Sequence, residues 1–157
     1  MDTKALLLTI QDRYQSALSA ILSDLTDAQM QTKASAIDER TIAEVAIHAY
    51  SNVFGIGTVV AGREWSLEQW PISDWPNHLA RPTTTAALLT LLGEFHAQAQ
   101  TLLENIPASR LDDTVVLPWG EQLGGEAMID ALLHGLHHVD AIGGVRAIAG
   151  FPTPPDN

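Results

Sequence analysis

Three of the six histidines in this 157-residue chain fall within five residues, His134-Gly135-Leu136-His137-His138. On a helix, His134 and His138 lie one turn apart on one face, with Cβ atoms about 6 Å apart, so both imidazoles can converge on one ion at about 2.1 Å each. The same steps reach Ala127, Ala131, Ile142 and Val145. The pair therefore sits on an otherwise apolar, core-facing stripe, where two unpaired imidazoles would be costly. His48 borders a second apolar stripe beside Val45 and is the candidate third nitrogen ligand. Three protein ligands leave a coordination position open, as a reactive rather than a purely structural ion requires.

Around these three stand candidate bases. Glu44 precedes His48 by one turn and Asp130 precedes His134 by one turn. Either can orient an imidazole through its second ring nitrogen or accept a proton, and either can equally be a solvated helix carboxylate. His137 projects about 60° around the helix from His134, so it flanks the site or faces outward. His78 and His96 carry no spacing argument. The competing reading of all six is the ordinary one, hydrogen-bonded core or surface histidines. Without cysteine, any metal site must use nitrogen and oxygen. Imidazoles alone suit zinc, nickel, copper and cobalt alike, so the expectation is one divalent transition metal per chain.

The elements that would position these groups read as helices. Leu7, Ile10, Tyr14, Leu18, Ile21 and Leu25 recur at steps of three and four and predict a helix over roughly 3–25. Asp38 or Thr41 can cap a second helix over about 40–61, whose stripe is Ile42, Val45, Ala49, Val53, Ile56 and Val60. Gly55 and Gly57 would let a neighbour approach, or kink it. Residues 62–82, with three tryptophans and three prolines, exclude a regular element and predict a long aromatic-rich connection. A third helix opens at Thr83-Thr84-Thr85 and buries Leu88, Leu92, Phe95, Ala99, Leu102 and Ile106 up to Pro107. After an irregular stretch in which Thr114-Val115-Val116-Leu117 is a short strand or extended loop, the last helix runs from about Gly125 to Ala149. Four amphipathic helices with two long connections predict an all-α four-helix bundle.

With 46% hydrophobic residues the chain is expected to form a single domain over residues 1–157, ending in a proline-rich tail at 151–157. A formal charge of −11 repels phosphate backbones and anionic membranes, which argues against nucleic acid and membrane partners. The start, Met1-Asp2-Thr3-Lys4, lacks the pattern of a secretory signal, and no apolar run of about 18 residues occurs. A cytoplasmic protein is the default expectation.

The string Thr41-Ile42-Ala43-Glu44-Val45-Ala46-Ile47-His48-Ala49, followed roughly 85 residues later by His134-Gly135-Leu136-His137-His138, resembles the DinB/YfiT-like superfamily of metalloenzymes, in helix order and length across nearly the whole chain. That resemblance implies a four-helix bundle, commonly a homodimer, in which His48, His134 and His138 bind zinc, nickel or a related ion. Some members are transferases that use a low-molecular-weight thiol, so a thiol-dependent S-transferase acting on a small molecule is expected ahead of a metal-dependent hydrolase, with a non-catalytic metal- or ligand-binding bundle and a plain structural module as the other readings. The chain departs from the family by placing Val139-Asp140-Ala141 where many members have Arg-Gly-Gln, which leaves the ligand spacing untouched. Trp65, Trp70, Trp75 and Trp119 in the two connections are expected to close one end of the bundle as an apolar pocket, or to cap the core or a subunit interface. Arg63, Arg81 and Arg146 are the candidate cations for an anionic substrate group or thiol.

Overall fold

The computed structural model describes residues 2–33, 40–65 and 81–152. Helix α1 spans Thr3–Leu22, opened by the Asp2 carboxylate, which accepts from the Ala5 amide at 2.8 Å. It buries Leu7, Gln11, Tyr14, Leu18 and Leu22 at helical spacing. The expected extension to residue 25 is cut short: the chain turns after Leu22, and Leu25 is buried from the turn instead. A one-turn helix α2, Asp27–Met30, follows, opened by a capping box between Thr26 and Gln29.

The second predicted helix is two helices. α3 is Ile42–His48, with Thr41 as its N-cap and Glu44 completing the capping box, and α4 is Ser51–Val60. The break falls at Ala49-Tyr50, where the register tightens and the Tyr50 amide donates to the Ile47 carbonyl, three residues back rather than four. The two glycines expected to kink the helix lie inside α4. Gly57 receives Leu102, and Gly55 receives the Trp65 ring. Asp38, the other cap candidate, and most of the aromatic connection, including Trp70, Trp75 and His78, lie outside the described residues.

Helix α5, Thr85–Asn105, starts on the Thr84 cap and buries Leu88, Leu92, Phe95, Ala99 and Leu103, with Leu102 half-buried against Gly57. A short α6, Ala108–Asp112, leads into β1, Thr114–Leu117, and β2, Gly120–Leu123. The irregular stretch is thus an antiparallel hairpin, with Thr114 opposite Leu123 and Leu117 opposite Gly120. Gly120, at φ 144°, takes a conformation open to glycine where the chain leaves the turn. Helix α7, Gly124–Ile148, ends on Gly150 at φ 69°, with the Phe151 amide closing on the Arg146 carbonyl at 2.9 Å.

The principal helices form a four-helix bundle: α1 packs on α5 and α7, and α4 packs on the same two from the other side, while α3 lies against α7. Tyr14, Tyr50, Phe54 and Phe95 form an aromatic cluster in its centre, with the Tyr14 and Tyr50 rings 4.9 Å apart. The hairpin packs on the end of α4 and the start of α7. Among the described residues no helix is long and apolar enough to cross a membrane.

Arg146 is buried, and its guanidinium holds both oxygens of Asp24 at 2.7 and 2.8 Å, the Ile21 carbonyl at 2.6 Å, and the Pro152 carbonyl. Hydrogen bonding from Arg146 holds the Asp24 carboxyl below its usual range, so the pair's contribution is present above that range and is lost as pH falls through the lowered value. Replacing Arg146 with Ala strips a buried fork of carbonyl and carboxylate partners and should lower stability at pH 7 by about 2–3 kcal/mol in urea unfolding. The difference between wild type and variant should narrow towards pH 3; a difference independent of pH would show that the ion pair is not its source.

Candidate metal centre

The junction after α3 sets the position of His48, at the last residue of that helix, while the single rigid turn between 134 and 138 sets the other two histidines on α7. The His134 and His138 Nε2 atoms lie 3.0 Å apart. The ring centroids of His48 stand 5.6 Å from His134 and 5.0 Å from His138, and the three rings are mutually near-perpendicular, at 73° to 86°. One nitrogen from each ring lies within 4.8 Å of the others, and all three side chains are half-buried.

Two imidazole nitrogens 3.0 Å apart cannot both present lone pairs to each other. Either one carries a proton and donates, or a cation stands between them. Nitrogens each about 2.1 Å from one ion stand roughly 3.0–3.4 Å apart at bond angles of 90–110°, so the pair's spacing suits an ion as well as it suits a hydrogen bond. Burial lowers the His134 pKa first, and the charges of His137 and Arg40 lower it further. All three influences favour the neutral imidazole that ligation requires.

The candidate bases are placed differently. The Glu44 carboxylate accepts from the Thr41 amide at 2.7 Å and from Arg81, so it is held as a helix cap and ion-pair partner. Asp130 is exposed and accepts from Gln122 of β2. His137 is exposed beside the site. Neither carboxylate joins the converging nitrogens among the described residues.

The arginines expected to attract an anion are also placed. Arg81 pairs with Glu44, Arg146 is committed to Asp24, and Arg63 lies elsewhere. The cation whose charge reaches His134 is Arg40, just before the α3 cap. No sequence spacing marked it, because it precedes the helix that carries His48. Trp65 and Trp119 do meet, edge to face at 5.6 Å. The cavity beside them, about 390 Å³, is lined by Val59, Arg63, Trp65, Arg110 and Val116. It opens at the far end of α4, away from the α3–α4 junction that carries His48. Trp65 and Trp119, the two described tryptophans, thus stand by this cavity and not among the converging imidazoles.

The family model of the DinB superfamily matches residues 11–141. Among solved structures, the chain is similar to YfiT from Bacillus subtilis, described as a probable metal-dependent hydrolase with an unusual four-helix bundle topology. The TM-score is 0.68 at 15% identity, covering 95% of this chain and 89% of that one. No curated protein matches the chain.

Because His134 holds a proton less well in the fold than in an unfolded chain, the unfolded state takes up more protons as pH falls through the ordinary imidazole range near 6.5. Metal-free protein should therefore lose stability between about pH 7 and 5. His134→Asn should flatten that dependence in thermal melts; an identical slope in the variant would remove His134 as its source.

Proposed function

The chain belongs to the DinB superfamily, and from that premise we propose that it is a metal-dependent enzyme acting on a small molecule, with one divalent ion, zinc or nickel, held by His48, His134 and His138. The observation that carries this reading is the convergence of three near-perpendicular imidazoles on one half-buried point. Such an ion would supply Lewis-acid chemistry at its open position. The chain's own contributions are a neutral His134, an exposed His137 able to take or pass a proton at the rim, and the positive charge of Arg40 beside them.

We rank hydrolysis first. The similarity in fold to YfiT supports it, and so does the commitment of Arg81 and Arg146 to carboxylates, which removes two of the cations that a charged thiol cosubstrate would use. Thiol-dependent transfer is the second reading, favoured by Arg40. We also take the working unit to be a homodimer. Val116, Trp119 and Leu123 expose 68, 59 and 44% of their surface on the hairpin, apolar area that a second copy would cover. Light scattering that returns a monomer at high micromolar concentration would overturn that part.

Elemental analysis should find about one ion per chain in wild type and loss of that ion in a His134→Ala, His138→Ala double variant; full occupancy in the double variant would refute the ligand set. Metal-loaded protein should hydrolyse ester or amide substrates without added thiol, and His134→Ala should lose this activity. Turnover of a chloro-dinitro-aromatic only when bacillithiol, mycothiol or glutathione is present would reverse the ranking.

A further inference from the structure

We propose that Gly135 is a positioning residue for the imidazole group: its lack of a side chain lets α7 pass close enough to the Ala49 carbonyl for His48 to face His134 and His138. The proposal rests on the metal-centre reading. Gly is a poorer helix former than Ala, and Gly135 lies in the interior of the 25-residue α7. A Cβ at 135 would stand 2.9 Å from Tyr14 Cε2, 3.0 Å from Tyr14 Cζ and 3.2 Å from the Ala49 carbonyl oxygen. Ordinary carbon contacts are about 3.5–4.0 Å.

Neither neighbour can give way cheaply. Tyr14 is fully buried, with its ring against Tyr50, and Ala49 O is backbone one residue beyond His48. At Gly57 a Cβ would meet Leu102 at 2.7 Å, but only the end of a half-buried, flexible side chain. A methyl group at 135 must therefore move α7 relative to the α3–α4 junction. His134 and His138 ride on the same turn and stay together, so the displacement falls on their distance to His48.

The test measures zinc affinity by competition with a chromogenic chelator. Gly135→Ala should bind roughly 10- to 100-fold more weakly, the range seen when groups that orient ligands are changed. Gly144→Ala, on the same helix with nothing within 4 Å of the new methyl, should bind as wild type. In a His48→Ala background Gly135→Ala should cost no further affinity, because the ligand it positions is gone. Wild-type affinity in Gly135→Ala, or an equal loss in both backgrounds, would overturn the proposal. Should Gly135→Ala not fold, a Tyr14→Leu, Gly135→Ala pair, in which the ring contact is cleared and the carbonyl contact remains, is compared with Tyr14→Leu. Weaker binding in the pair supports the role, and equal binding overturns it. Wild type that takes up no zinc would defeat the metal-centre reading alone. Crystal structures of metal-free wild type and Gly135→Ala then decide the positioning: a withdrawn His48 supports it, and unchanged nitrogen separations refute it.

Discussion

Imidazole nitrogens from different parts of the chain can share a point only if the backbones that carry them pass closely, and in this bundle the passage is made where α7 crosses the Ala49 carbonyl. Gly135 contributes the missing volume, Tyr14 the floor, and the tightened junction at Ala49-Tyr50 the end of the helix that bears His48. Had α3 and α4 continued as one regular helix, the direction of His48 would be tied to the packing of α4 against α5. The interruption lets α3 take its own direction, set by its cap and by packing on α7, α5 and α2.

Polar anchors hold this crossing from a distance. Arg146 ties the end of α7 to the turn after α1. Thr85 joins the start of α5 to the same region, through Asp27 and the Leu25 carbonyl. At the other end of α1, Lys4 reaches the Glu104 and Ile106 carbonyls that close α5. These contacts satisfy backbone groups that helix ends leave open, and they place rigid ends around a centre filled with aromatic rings. The half-buried imidazoles therefore sit on a frame whose small displacements are resisted by packing, as dense interiors require.

Much of this could be read from residue order, because periodicity reports one face of a helix and needs no tertiary knowledge. The stripes of α1, α5 and α7, the stop at Pro107 and the pairing of His134 with His138 are of that kind. What stayed hidden depends on contacts between distant residues. No local signal breaks the helix at Ala49, where alanine and tyrosine are both acceptable helix residues; the interruption lies at the crossing with α7. Thr114-Val115-Val116-Leu117 read as extended, but its partner Gly120-Glu121-Gln122-Leu123 lacks the alternation of a strand and is set by the two-residue turn. Charges were the least legible. Arg146 reads as a surface cation at the end of a helix and is instead buried against Asp24, while Arg40 gains its influence on His134 only through packing of α3 on α7. The helix that carries Glu44 explains its role without catalysis, since a Thr-x-x-Glu pattern is a capping box wherever it occurs.

The division of the three imidazoles between one local pair and one distant residue has a thermodynamic meaning. His134 and His138 need only a single helical turn to face each other, so any species with that turn formed presents the pair, whether or not the bundle is assembled. His48 joins them only when α3 has docked. A cation that touches the pair alone would bind assembled and partly assembled chains with similar affinity and would leave the folding equilibrium nearly where it was. One that engages all three distinguishes them, and the ratio of its affinities becomes free energy of assembly. With an ion on all three, the third histidine would be the element that converts ion concentration in the surroundings into a bias towards the docked bundle.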